Sequence, residues 1–223
     1  MSQNRSTAVM SRRVEAPDSL DFYPTPPWST RALCEYLIDV RDCDVLEPAC
    51  ADGAMVKPLA EYARSVAAFD VHDYGAGYQQ HDFLMPFLPI GCGNVAWTIT
   101  NPPFRLAEEF VLRGLKISEV GVAVLVRSVF AESVGRYNRL FRDRPPAIVA
   151  QFTERVVMHK GRLSPDGSTA TSYAWMVWRI GHVGPPTFAW VPPCRKRLER
   201  ASDYPPDAHD PFPKRADRTA AAP

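Results

Sequence analysis

Seven consecutive residues, Thr98-Ile99-Thr100-Asn101-Pro102-Pro103-Phe104, carry the plainest chemistry in this chain. The apolar run from Val95 to Ile99 reads as a buried strand, and it stops at a polar residue, two prolines and an aromatic. Two successive prolines donate no backbone hydrogen bonds and hold φ at about −65°, so the chain leaves the sheet in a stiff extended turn with its carbonyls outward. Asn101 adds a side-chain amide oxygen, Pro102 a carbonyl with no N–H of its own, and Phe104 a flat apolar face. Such a set suits a planar group that carries an NH2.

Three further stretches have the composition of a binding site. Asp44-Val45-Leu46-Glu47-Pro48-Ala49-Cys50-Ala51-Asp52-Gly53-Ala54 reads as a short strand, a turn of small residues and a helix reaching about Arg64. Small residues let a ligand approach the backbone closely, and a helix N-terminus offers unpaired N–H groups. A second strand over 66–69 ends at Asp70, followed by Val71-His72-Asp73-Tyr74. A carboxylate about 20 residues past the turn, at the end of the second strand, is where Rossmann-like folds hold ribose hydroxyls, which makes Asp70 the candidate. His81-Asp82-Phe83-Leu84 follows a loop rich in Gly, Tyr and Gln. His72 and His81 with Asp73 or Asp82 have no usual metal-ligand spacing, so no metal is expected.

The elements that must position these residues alternate. Residues 21–28 are extended by their prolines, and 29–40 carry an apolar stripe at Leu33, Tyr36, Leu37 and Val40, with Ser29 or Thr30 as cap. After the Asn-Pro-Pro-Phe turn, 106–117 read as a helix, 120–126 as a strand buried on both faces, and 132–142 as a helix. Arg127-Ser128-Val129-Phe130 falls at the carboxyl end of that strand, the ligand side of an open α/β sheet, so Arg127 and Phe130 are candidate lining residues. Residues 148–153 and 171–180 read as a closing antiparallel pair. The basic, hydroxyl-rich loop between them, 157–170, offers Lys160 and Arg162 as a phosphate clamp. The pattern indicates an α/β fold: a Rossmann-like three-layer αβα sheet, mostly parallel, with a C-terminal antiparallel strand. One domain over 20–192 is expected, with a disordered arm at 1–19 and a disordered tail at 193–223 that is basic at Arg195-Lys196-Arg197 and then rich in Pro and Ala.

The totals narrow the class. A chain of 223 residues with 46% hydrophobic content has ample material for one core. No apolar run approaches the roughly 18 residues that span a bilayer, and the first residues are polar, so a soluble, cytoplasmic protein is expected. Five cysteines without a Cys-x-x-Cys pair argue against a disulfide framework and a zinc site, leaving reduced thiols that mostly pack. The net charge is +1, but it is unevenly spread: Arg127 to Arg200 holds thirteen Lys or Arg against five Asp or Glu, and the rest holds thirteen against twenty. A phosphate-facing surface produces such an asymmetry, and so does an ordinary solvated face.

Asn-Pro-Pro-Phe after a hydrophobic strand resembles the catalytic motif of amino-group methyltransferases of the class I S-adenosylmethionine (SAM) fold, especially the N6-adenine DNA methyltransferases, small phage-type enzymes among them. The resemblance covers about 22–180 through motifs in a common order. It implies SAM as cofactor and catalytic roles for Asn101, Pro102, Pro103 and Phe104, with Asn101 also near the cofactor. Tyr23, Pro24 and Thr25 would lie over its methionine end, Glu47 would counter its ammonium directly or through water, and Ala49, Cys50, Ala51, Asp52 and Gly53 would contact the methionine moiety. Asp70 and Val71 would meet the ribose, and Asp82 and Phe83 the adenine. Family members usually have Gly where this chain has Ala51; if that position needs positive φ, Ala costs on the order of 1 kcal/mol. The target implied is an amino group of nucleic acid, foremost adenine in DNA, with Arg127, Lys160 and Arg162 on the substrate. RNA bases, a protein glutamine amide, or a silent SAM-binding or nucleic-acid-binding module are the alternatives.

Overall fold

The computed structural model describes residues 21–93 and 95–206. The expected arm at 1–19 and the end of the tail lie outside them. Eight strands form one sheet: β1 (Asp44–Glu47), β2 (Ser65–Asp70), β3 (Gln79–Gln80), β4 (Val95–Thr100), β5 (Ser118–Arg127), β6 (Ile148–Phe152), β7 (Tyr173–Arg179) and β8 (Thr187–Val191). Their spatial order is β3-β2-β1-β4-β5-β7-β6-β8. The first five run parallel, β7 is antiparallel to both β5 and β6, and β8 runs parallel to β6. The expected α/β sheet with an antiparallel strand near its C-terminal edge is therefore the observed one.

Strand periodicity builds the layers. In β5, Ala123 and Leu125 join a core with Trp28, Leu33, Trp97, Ile99 and Trp175, whereas Val122, Val124 and Val126 join another with Val111, Leu140, Met176 and Trp178. Successive side chains point to opposite faces, so a strand that is apolar throughout is one covered on both sides. The first face is covered by α1 (Pro27–Tyr36), α2 (Val56–Leu59) and α5 (Arg195–Leu198), the second by α3 (Ala107–Ile117) and α4 (Val134–Arg136), which continues as a π-helical turn over Tyr137–Phe141. Among the described residues no helix is long and apolar enough to cross a membrane.

Four local expectations change. Helix α1 starts at Pro27 rather than at a Ser or Thr cap: proline is pre-set for the first helical position, and the Ser29 hydroxyl donates back to the Pro26 carbonyl at 2.7 Å. The helix expected to reach Arg64 is the single turn α2, and Pro58, with no N–H for the Ala54 carbonyl and a ring that crowds it, keeps the helix from starting earlier. Strand β8 carries a period-two pattern too short, and too near Pro185 and Pro186, to have stood out.

The fourth concerns the expected tail. Residues 193–206 are packed on α1: Leu198 is buried, and the buried Arg31 guanidinium donates to the Leu198 carbonyl, to both oxygens of Asp203 and to Glu61. Breaking a buried pair by removing one partner costs roughly 3–5 kcal/mol, so this clasp fixes the segment in place.

Candidate active site

The carboxyl ends of β1, β2, β4 and β5 open into one cleft of about 1360 Å³. Open parallel sheets place their ligand sites there, because consecutive crossover connections diverge and leave a crevice. Of the candidate residues, Tyr23, Pro24, Thr25, Glu47, Ala49, Cys50, Ala51, Asp52, Asp70, Val71, Asp82, Phe83, Asn101, Pro102, Pro103, Phe104, Arg127, Lys160 and Arg162 all line it. Gly53 does not. Its φ is +85°, and a Cβ there would come within 2.2 Å of the Tyr78 hydroxyl, so it shapes the turn from behind. Phe130 also falls outside the lining; it is buried against α4 with the Arg136 guanidinium over its ring.

The turn after β1 is tied to the end of β2. Ala51 has φ +46°, the left-handed region, and its N–H donates to Asp70 Oδ2 at 2.9 Å while the His72 N–H donates to Asp70 Oδ1 at 3.0 Å. One carboxylate therefore sets the shape of two loops. An alanine with that φ costs about 1–2 kcal/mol relative to glycine, and the Asp70 bond helps to hold it there. Burial raises the Asp70 carboxyl above its ordinary range, opposed by these N–H donors.

Glu47 is the most perturbed carboxyl of the cleft. It is 1% exposed, accepts from the Ala49 N–H at 3.0 Å, and burial pushes its carboxyl up to about 8, with Asp70 adding the same sign. A carboxyl so buried is poised for a cation: an ammonium brought beside it would restore the charged form. Asp52 and Asp82 hold their own turns, accepting from Ala54 at 3.2 Å and Leu84 at 2.9 Å. Phe83 packs within 5.0 Å of the Phe110 ring and 6.2 Å of Phe69, so it reaches the cleft as part of the core rather than as a free face.

The Asn101 amide is locked from the arm. Its Nδ2 donates to the Tyr23 carbonyl at 3.2 Å and the Thr25 hydroxyl at 3.0 Å. Since a carbonyl can only accept, this fixes which end of the amide is oxygen. Oδ1 is shielded and has no hydrogen-bond partner. Leaving a buried acceptor unpaired costs on the order of 1–3 kcal/mol, so the site holds an acceptor in want of a donor. Beside it, the Phe104 N–H donates to Asp21 Oδ2 at 2.8 Å, the Tyr23 ring lies at 5.7 Å from the Phe104 ring, and the Arg127 guanidinium sits 3.9 Å from that ring's centre.

Asp21, Phe22, Tyr74, Met158 and Tyr173 also line the cleft and were not singled out by sequence. The Phe22 ring lies tilted at 4.7 Å from the Tyr74 ring, and its carbonyl accepts from the Gly161 N–H at 2.9 Å, so the arm bridges the basic loop and the loop after β2. The signal for Asp21 and Phe22 was present, because both precede the Tyr-Pro-Thr segment directly. Tyr173 and Met158 carried none, since an aromatic or a methionine in an apolar strand or loop reads as core.

The strand order and the cleft at the carboxyl ends define the Rossmann-like methyltransferase fold. No protein-family profile matches the sequence, and no curated protein matches it. Solved structures do resemble it. A type I restriction-modification methyltransferase subunit from Streptococcus thermophilus aligns with a TM-score of 0.52 at 10% identity, over 85% of this chain and 49% of that one. The magnesium protoporphyrin IX methyltransferase of Synechocystis PCC 6803, with SAM bound, aligns with a TM-score of 0.50 at 10% identity, over 70% and 79%. A provisionally named RNA methyltransferase from Pyrococcus horikoshii gives 0.50 at 16% identity, over 72% and 89%. This chain thus spans about half of the restriction-modification subunit. At these identities the likeness is one of fold.

Proposed function

We propose that this protein is a SAM-dependent methyltransferase that modifies an exocyclic amino group, with adenine N6 in DNA as the target. The observation that carries the reading is the Asn101 amide at the cleft, whose nitrogen is already spent on the arm and whose shielded Oδ1 is left unpartnered. The residues suit the cofactor: Glu47 would hold its ammonium, Asp70 its ribose, and Ala49, Cys50, Ala51, Asp52, Val71, Asp82 and Phe83 would surround the rest, with Tyr23, Pro24 and Thr25 across the top. When bound, SAM supplies a methyl group activated by a sulfonium.

The chain's own part is orientation and charge. Asn101 Oδ1 and the Pro102 carbonyl would accept from the two hydrogens of the target NH2, which directs the nitrogen lone pair out of the ring plane. Positive charge grows on that nitrogen as it reacts, and acceptors held in place beforehand stabilise it, the reverse-sign analogue of an oxyanion hole. Because Tyr23 and Thr25 hold the amide nitrogen, the orientation of Oδ1 is set in advance. Phe104 would stack on the flipped base, a contact worth roughly 1–3 kcal/mol against a flipping cost of a few, so phosphate contacts from Arg127, Lys160 and Arg162 make up the difference. Pro103 keeps the turn stiff.

The test is transfer of radiolabelled methyl from SAM to unmethylated DNA, RNA and a protein extract in parallel, followed by nucleoside analysis. N6-methyladenine in DNA is the expected product. Label in RNA or on a glutamine would reassign the target, and cofactor binding with no label in any pool would overturn the catalytic reading in favour of a binding module.

A further inference from the structure

A second cavity of about 410 Å³ lies beside the cleft, lined by Gln151, Thr153, Glu154, Arg155, Ser172 and Trp190 among others, and it shares Tyr173 with the cleft. Its place follows from the strand order. Arg127 on β5 pairs with Tyr173 on β7, and Gln151 on β6 pairs with Trp190 on β8, so all four sit at the same end of the sheet. The cleft therefore continues sideways along the sheet end.

Trp190 is the anomaly in this track. An indole is among the groups that gain most from burial, yet Trp190 is 64% exposed on an edge strand. It is also held in place: Phe188, two residues earlier on the same face, packs edge-on against it with ring centres 4.9 Å apart. Around the cavity the polar groups are occupied. Gln151 donates to the Phe152 and Tyr173 carbonyls and accepts from the Ser128 hydroxyl, and Glu154 Oε2 accepts from the Cys194 and Arg195 N–H groups. Arg155, exposed at the rim, donates to the Ser172 hydroxyl. What remains on offer is an aromatic face and a cation lining one cavity, the pairing that single-stranded nucleic acid uses, with bases on the rings and phosphate on the guanidinium.

We propose that Trp190 and Arg155 form a stacking subsite for a second nucleobase of the substrate strand, a few nucleotides from the base in the cleft. This rests on the nucleic-acid reading above. From β4, whose end carries Asn101, to β8 is four strand spacings, about 19 Å, which is about five to six steps of stacked DNA at 3.4 Å each. With no separate recognition domain among the described residues, the subsite supplies part of the sequence or strand preference.

The experiment uses the full chain and a fluorescein-labelled single-stranded 20-mer with one adenine, read by anisotropy without cofactor and by methyl transfer with it. Trp190→Ala should weaken binding by about tenfold while Trp190→Phe, which keeps a ring, loses far less. An abasic nucleotide walked along the strand should weaken wild-type binding at one position within about six of the adenine, and Trp190→Ala should be insensitive at that position. Equal thermal midpoints for wild type and variant would show that the loss is not unfolding. The subsite is overturned if Trp190→Ala binds as tightly as wild type, if its losses are the same at every abasic position, or if the wild type binds no strand at all. Trp190-dependent binding without methyl transfer would retain the subsite and remove the enzymatic reading; methyl transfer indifferent to Trp190 would do the opposite.

Discussion

The two halves of the cleft are built on opposite principles. On the side of β1 and β2 the site is buried and acidic: Glu47 and Asp70 are desolvated carboxyls, each bonded to backbone N–H groups, and the loops there pack through Phe69, Phe83 and Tyr78. On the side of β5 to β8 it is open and basic, with Arg127, Arg155, Lys160 and Arg162 at the surface around the Phe104 and Trp190 rings. A small cation with ribose hydroxyls is best held by few, well-placed, dehydrated acceptors. A polyanion is best held by exposed cations and flat rings, since each phosphate contact is weak and many are needed. Asn101 stands at the seam, anchored by the arm that crosses both halves.

The seam should be the most sensitive point. Asn101→Ala is expected to lower turnover on the order of a hundredfold while leaving SAM affinity near wild type, measured by single-turnover methyl transfer and calorimetry; an unaltered rate would sink the assignment. Next, Asp70→Ala should weaken SAM binding by about tenfold to a hundredfold, because it removes a charged hydrogen-bond partner and releases the Ala51 turn, yet oligonucleotide affinity should stay unchanged. If both affinities fall together, the two halves are not separable.

Glu47 gives the comparison a pH signature. Its carboxyl, raised from 4.5 to about 8, is neutral in the empty site at neutral pH and must lose its proton to meet an ammonium. SAM affinity should therefore rise by up to tenfold per pH unit towards about 8 and level off above, while Glu47→Gln should bind weakly with no such slope. Stability has the opposite sign. A raised carboxyl stabilises the fold fully below its unfolded value and loses that contribution as pH climbs through the folded one, so the thermal midpoint should fall between about 4.5 and about 8. Asp70, shifted in the same direction by burial, adds to the trend.

Smaller effects come from the basic side and from the turn. Lys160→Ala and Arg162→Ala should each raise the KM for DNA about threefold to tenfold and lower the salt slope of binding by about one, leaving SAM binding alone. Ala51→Gly relieves a positive φ but restores backbone freedom in the unfolded chain; a net gain of about 1 kcal/mol or less is expected in denaturant melts, with SAM affinity within tenfold of wild type. A larger tightening would mean that the Ala51 methyl compromises the site.

Local pattern made the acidic half legible and left much of the basic half unread. A strand, a turn of small residues and a carboxylate at the next strand end follow one another within a few tens of residues, so Glu47, Ala51 and Asp70 are visible as a group, as are the two prolines that force the turn after Asn101. Phe83 was visible only as a residue type: whether an aromatic in that position offers a face to solvent or sinks between Phe69 and Phe110 depends on neighbours far along the chain. Trp190 carried no local signal, because its exposure is set by its place on the edge strand β8, whereas Tyr173, on the interior strand β7, is core as its surroundings suggest.

By itself, the sequence determined the class of fold and the order of the motifs, because strand period, proline stops and small-residue turns act over a few residues. Only the tertiary structure decided that the Tyr23 carbonyl and Thr25 lock an amide 76 to 78 residues away, that Arg31 clasps Asp203 and draws 193–206 onto the domain, and that Trp190 and Tyr173 line one cavity. Such pairings rest on long-range hydrogen bonds and strand register, which no local spacing encodes and which form only when the whole sheet is assembled.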